Sequence, residues 1–260
     1  MELVKKIQIP VIADSVLSPD VYYSDELTSI YFQTEDDKFG RITFYNLDAI
    51  KICRGELMPF EYDWNQHERG DWVYKIENSK WLLERYNYEN KNYRTSYEFG
   101  GNVDDMTTDF NHYLFSFHDQ FIEVIAKGFW FEKDPASLFK KSLQSNHPFL
   151  NLPEIDVNRF SAYNLTCQVR KNQKTTEELI ADAQYCPQKL FQFALEIGNT
   201  ASIDHSLNLQ YRNGKLISVL RGYFGKQIVE FEGIASFDDV KPYIEKYIEE
   251  VSIRRKEMGK

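Results

Sequence analysis

Cysteine is scarce in this 260-residue chain. Cys53, Cys167 and Cys186 are odd in number, widely spaced and form no Cys-x-x-Cys pair. That excludes a disulfide scaffold and suits a reduced, cytoplasmic setting. Long apolar runs are missing too. Nothing approaches the roughly 20 apolar residues of a membrane span, and the most apolar stretch, Phe121–Phe131, contains Glu123 and Lys127. The opening MELVKKIQIPVIADSV has two lysines, but Pro10 and Asp14 break its apolar stretch, so no signal peptide is read. Positive charge is short: 31 Lys+Arg stand against 40 Asp+Glu, a formal net charge of -9. A basic footprint for nucleic acid is therefore absent. There is no Gly-x-x-x-x-Gly-Lys phosphate loop, Gly-x-Gly-x-x-Gly, Gly-x-Ser-x-Gly or His-Glu-x-x-His. This excludes the enzymes that declare themselves by a local motif, but not a site assembled from distant residues.

What the chain has in excess is aromatic side chains: 19 Phe, 17 Tyr and 4 Trp, or 15%. The charge is also localised. Residues 1–110 hold 21 acids and 12 bases, whereas residues 111–260 hold 19 of each. The aromatic groups Tyr22-Tyr23, Tyr62-Trp64, Trp72-Tyr74 and Trp81-Tyr86-Tyr88-Tyr93 fall in the acidic part. Such residues either fill a core or serve as interface anchors, and an acidic surface steers toward a basic partner.

Periodicity gives the layout. Thr28–Gln33 is β-branched and aromatic, and Glu35–Gly40 is a polar turn. Arg41–Tyr45 and Ala49–Arg54 read as a hairpin around Asn46–Asp48. Pro59–Asp71 reads as loop and Trp72–Glu77 as a short strand. A helix begins at Asn78 or Ser79, either of which can cap it, and a short second one fits Asp104–Asn111. His112–Lys133 carries the strongest strand signal, a hairpin turning at His118-Asp119-Gln120. Its apolar residues fall on both faces, so it belongs at the centre of a sheet. Pro135–Leu143 reads as a helix and Arg159–Arg170 as strand. Thr175 and Glu178 form a capping box, and a further helix is expected over Gln188–Ile197 before Gly198. Ser206–Glu232 is a three-stranded meander turning at Asn213-Gly214 and Gly225-Lys226. Ser236 caps a final helix, with Pro242 at its first turn. The fold class is α+β, with mainly antiparallel sheets and packed helices in two subdomains. These are an acidic, aromatic-rich part over 1–143, a linker over 144–158 and a second part over 159–260.

Chemistry-bearing residues are few. His112 and His118 lie six strand residues apart, roughly 20 Å, too far to share an ion. Cys53 beside Arg54 has a guanidinium that would favour a thiolate, although a buried thiol is the commoner role. The pairs Asp36-Asp37 and Asp104-Asp105 read as solvated loop acids. No metal or cofactor is expected. The expectation is a non-enzymatic cytoplasmic protein that binds a protein partner, in its most concrete form an immunity- or antitoxin-like inhibitor of a basic partner. The contact residues expected are Asp36, Asp37, Tyr62, Trp64, Trp72, Asp104 and Asp105. Neither nucleic acid nor membrane is expected as a partner. The alternatives are an enzyme with a site near His118, Asp119 and Glu123, and a structural subunit of a larger assembly.

Overall fold

The computed structural model describes residues 1–24, 27–57, 62, 64, 72–93, 103–144, 154–162, 165–171, 174–183, 190–197, 203–212, 215–222 and 229–259. The chain divides into two compact units, Met1–Ser142 and Leu143–Lys260. Both are antiparallel sheets with helices, a mixed α+β architecture.

The first unit contains β1 (Leu3–Lys6), β2 (Asp20–Tyr22), β3 (Ser29–Gln33), β4 (Phe39–Arg54), β5 (Val73–Glu77), α1 (Lys80–Asn92), α2 (Asp105–Asp109), β6 (Asn111–Ser116) and β7 (Gln120–Asp134). Its seven strands lie in the order β1-β5-β6-β7-β4-β3-β2. The aromatic hairpin β6–β7 is central, as its two-sided apolar pattern requires. The sheet curls onto itself. Phe117, just past β6, and Phe32 on β3 are three strand spacings apart, about 14 Å in a flat sheet. Their rings nevertheless lie 5.7 Å apart, and Phe32 is 5.0 Å from Trp72. The inner face is filled by Ile30, Phe32, Ile42, Phe44, Trp72, Val73, Tyr113, Phe115, Phe117, Ile122, Val124 and Phe129. Each fully buried aromatic or aliphatic side chain contributes about 1.5–3 kcal/mol.

The expected hairpin at Asn46–Asp48 does not form. β4 runs straight through as one 16-residue strand, paired with β7 from Phe39↔Asp134 to Arg54↔Gln120. A long partner strand offers ladder hydrogen bonds to both halves, so the polar Asn46–Asp48 segment is absorbed as an irregularity instead of a turn. Asn46 takes φ 46° and the register shifts between Leu47 and Ala49. On β7 the inner face passes from Ile122, Val124 and Ala126 to Phe129, a slip of one residue at Gly128.

Nor is Pro135–Leu143 helical: its described backbone is bends, turns and irregular chain. Arg41 draws that segment in. Its guanidinium donates to the carbonyls of Lys141 (2.6 Å), Ser142 (3.3 Å) and Leu138 (3.5 Å). The Leu138 oxygen is the one that a helix over this segment would have paired with Ser142 N. Leu138 is buried there, and Lys140 takes φ 55°.

The second unit is a sheet in chain order: β8 (Glu154–Ala162), β9 (Leu165–Lys171), β10 (Phe191–Ile197), β11 (Ile203–Arg212), β12 (Lys215–Gly222) and β13 (Val229–Glu232). α3 (Thr176–Ala183) connects β9 to β10, and α4 (Phe237–Glu257) follows β13. Three expectations change here. Residues 154–158, read as linker, already belong to β8. Arg159–Arg170 is divided between two strands. Phe191–Ile197 is a strand and not a helix. Phe191, Phe193, Leu195 and Ile197 do alternate, and β9 and β11 supply the ladder on either side. The expected turns at 213–214 and 225–226 lie outside the described residues, although Arg212 pairs with Lys215 across the first. Both capping boxes are made. Thr175 Oγ1 accepts from Glu178 N while Glu178 accepts from Thr175 N, and Ser236 and Asp239 repeat the arrangement. Pro242 lies inside α4, beyond its first turn. Leu207 packs with Val240, Ile244, Tyr247 and Ile248 of α4, and Leu209 packs with Leu179 and Ala183 of α3. The two leucines share a strand face, so both helices cover the same side of the sheet.

Candidate functional site

The outer face of the first unit's sheet holds a hydrogen-bonded chain of polar side chains. β5 ends at Glu77, Asn78 takes φ 55° to turn the backbone, and Ser79 caps α1 by accepting from Leu82 N at 3.0 Å. Ser79 Oγ is 2.8 Å from His112 Nδ1, and His112 Nε2 is 3.0 Å from Glu123 Oε1. The Tyr62 hydroxyl donates to the same Glu123 oxygen. Lys51, the register partner of Glu123 on β4, stands 4.0 Å from its other oxygen and 3.7 Å from the Trp81 ring centroid. Trp81 meets the His112 ring edge-on at 5.1 Å. Ser79, His112 and Glu123 are 7%, 1% and 1% exposed.

The direction of this chain follows from its donors. Glu123 as a carboxylate can only accept, so His112 Nε2 carries a hydrogen and donates to it. In the neutral ring Nδ1 is then the acceptor, and the Ser79 hydroxyl donates to it. Burial pushes the Glu123 carboxyl up, but the hydrogen bonds from His112 and Tyr62, with the nearby charge of Lys51, outweigh burial and hold it below its ordinary value. Burial and the adjoining Glu123 carboxylate together drive the Tyr62 phenol far above its usual range. The group is thus a serine hydroxyl, an imidazole and an ionised carboxylate in series.

Two further ionic clusters hold the scaffold. Asp48, at the β4 irregularity, takes Arg85 of α1 in a two-pronged pair (2.8 and 3.1 Å), and Arg85 also reaches Glu89 at 2.7 Å. Arg41, 0% exposed, pairs with Glu132 at 2.6 Å.

A second candidate region lies where the chain segment 12–17 meets the β3–β4 turn. An Ala13↔Thr34 bridge joins them, with Asp14 N donating to Gln33 O (2.8 Å) and Glu35 N to Ile12 O (3.2 Å). Asp14 Oδ1 accepts from Val16 N and Leu17 N. This fixed backbone leaves Ile12, Val16 and Leu17 exposed, Val16 at 67%, beside Glu35, Asp36 and Asp37.

The residues singled out from the sequence do not form one site. Asp36 lies on the β3–β4 turn, where hydrogen bonds from Lys38 and Thr34 and the nearby Lys133 hold its carboxyl well below its ordinary value. Asp37 is exposed in the same turn with φ 56° and has no ion-pair partner among the described residues. Tyr62 and Trp64 are half-buried; Tyr62 bonds Glu123, and Trp64 packs edge-on against Tyr74 at 5.0 Å. Trp72 is core: it is 8% exposed and donates its indole N–H to Val11 O. Asp104 is exposed and accepts from the Tyr86 hydroxyl, and Asp105 opens α2. His118 and Asp119 bond each other at 2.7 Å in the exposed β6–β7 turn. Glu123 instead faces His112, Tyr62 and Lys51, so His118, Asp119 and Glu123 do not converge.

The Ser79–His112–Glu123 series was missed because its members lie on three elements. One signal did exist. A glutamate inside a strand apolar on both faces must be paired, and His112 is the polar residue of the adjacent strand that shares its face. Among the described residues, no His/Cys/Asp/Glu cluster is arranged to hold a metal ion, and no helix is long and apolar enough to cross a membrane. Compared with known families, characterised proteins and solved structures, the chain matches no family model, no curated protein and no solved structure.

Proposed function

We propose that this chain is a protein-binding protein that engages a basic partner through the surface made by residues 12–17 and the β3–β4 turn. The observation that carries this reading is the exposed Ile12-Val16-Leu17 group, held on a hydrogen-bonded frame next to Glu35 and Asp37. Exposed apolar side chains on a fixed backbone lose little entropy on binding, and flanking acids add steering and register. Asp36 is matched by Lys38 and Lys133 within the molecule, so its role is to shape the turn. Asp37 supplies the charge that faces outward. An immunity-like inhibitor is the version that the acidic balance of residues 1–110 favours.

The test is capture of a partner from the native cell, followed by titration of the purified pair. Val16→Ser with Leu17→Ser should weaken binding most, by about tenfold or more for two interface anchors. Asp37→Asn should slow association and flatten its salt dependence, and Asp36→Asn should act less. Affinity unmoved by the apolar pair would remove this surface from the proposal.

A further inference from the structure

We propose that Ser79 is an acylable nucleophile and that Ser79, His112 and Glu123 form an acyl-transfer site for carboxylic esters. This site lies on the outer sheet face, and the inference does not depend on the binding surface proposed above. Three observations converge. The hydroxyl, imidazole and carboxylate are in series at 2.8 and 3.0 Å; the carboxylate accepts from Nε2, and in the neutral ring Nδ1 is the base that faces the hydroxyl. The serine stands at the strand-to-helix turn, at the N-terminus of a 13-residue helix whose dipole favours a developing alkoxide. The backbone N–H of the next residue, Lys80, already holds a carboxylate: it donates to Glu2 Oε1 at 2.8 Å. A donor that binds a carboxylate oxygen beside the nucleophile is where the carbonyl oxygen of an ester would gather charge.

The step balances without a further reagent. His112 Nδ1 takes the Ser79 proton as Oγ bonds the ester carbonyl carbon. The carbon–oxygen bond to the alcohol breaks, and Nδ1 returns the proton to that oxygen. Water then attacks the acyl-Ser79, giving one proton to Nδ1. The acyl carbon–Oγ bond breaks and releases the acid, and the proton returns to Oγ. Glu123 remains a carboxylate throughout and steadies the imidazolium. Glu2 occupies the Lys80 N–H and Ser79 is largely buried, so Glu2 is the group an ester must displace.

The experiment treats the full chain with a fluorophosphonate, in which Oγ replaces fluoride on phosphorus, and locates the adduct by peptide mass mapping. The expected result is an adduct on Ser79, formed several-fold faster in Glu2→Ala. Its rate should rise from acid toward neutral pH and fall about 100-fold or more in His112→Gln. Hydrolysis of p-nitrophenyl acetate should follow the same order. If His112→Gln does not fold, the pH profile of the unmodified chain decides the same point. No adduct on Ser79 in either the natural chain or Glu2→Ala would overturn the proposal. So would labelling with a flat pH profile, or labelling undiminished in a folded His112→Gln.

Discussion

The two units solve the covering of an antiparallel sheet differently. In Met1–Ser142 the sheet rolls around its own inner face, and aromatic rings meet edge-on across it: Phe44–Phe115 at 5.6 Å, Tyr113–Phe129 at 5.0 Å and Phe115–Phe129 at 5.4 Å. In Leu143–Lys260 the strands follow chain order, and α3 and α4 supply the second layer. A sheet that curls over its own face needs large side chains there, because among the described residues no helix packs into that cluster. This accounts for much of the aromatic excess, including Trp72, through packing and not partner contact.

Buried carboxylates extend the comparison. Glu123, in the first unit, has the His112, Tyr62 and Lys51 groups around it and is held below its ordinary value. Asp182, in the second, has Lys174 at 2.5 Å, yet burial dominates and raises it. One cation does not offset the desolvation of a carboxylate, whereas several hydrogen bonds and charges do.

The largest expected effect is at Arg41. Arg41→Ala leaves Glu132 buried without its guanidinium and frees the carbonyls of Leu138, Lys141 and Ser142. It should cost about 3–5 kcal/mol in urea unfolding. Arg41→Met with Glu132→Leu should recover most of that loss, and failure to recover it would show that the carbonyl contacts matter more than the charge pair.

Next come the two cores. Phe115→Ala should cost about 3–5 kcal/mol and Ile248→Ala about 2–5 kcal/mol. All four tryptophans (Trp64, Trp72, Trp81 and Trp130) lie in the first unit and the 21-residue α4 in the second. Phe115→Ala should therefore shift the tryptophan-fluorescence transition, and Ile248→Ala the helical circular-dichroism transition. Coincident shifts in both variants would show that the units unfold as one.

The smaller effects are in pH dependence. The folded value of Glu123 is depressed, so its stabilisation is present above the unfolded value, near 4.5, and is lost as pH falls through the folded one. Glu123→Gln should make acid unfolding shallower. The folded value of Asp182 is raised, so it binds a proton more readily folded than unfolded, and stability falls as pH rises from the unfolded value, near 3.8, through the folded one. Asp182→Asn should make the acid dependence steeper. The smallest effect is Ser236→Ala, which removes the α4 cap and should cost about 1 kcal/mol in thermal unfolding.

Elements with a local cause were legible in the sequence: the caps at Ser79, Thr175 and Ser236, the β6–β7 hairpin and the meander. Elements decided by a distant partner were not. Asn46–Asp48 has the composition of a turn, but β7 is long enough to hold it in a strand. Pro135–Leu143 has the spacing of a helix, but the buried Arg41 wraps the segment around its guanidinium through the carbonyls of Leu138, Lys141 and Ser142. Phe191–Ile197 is an apolar run that fits either period, and two neighbouring strands chose for it. The candidate sites divide the same way. Asp36 and Asp37 were visible as a polar turn, while the apolar group at residues 12–17 beside them depended on a bridge to Thr34.

The sequence alone determined composition, charge asymmetry, class and the starts of α1, α3 and α4, because these rest on side-chain type and on contacts within about four residues. Only the tertiary structure decided which aromatics are core, which acids remain outward-facing, and that Ser79, His112 and Glu123 meet. The reason is that strand pairing across β5, β6 and β7 brings together residues up to 44 positions apart, and no local periodicity encodes that register.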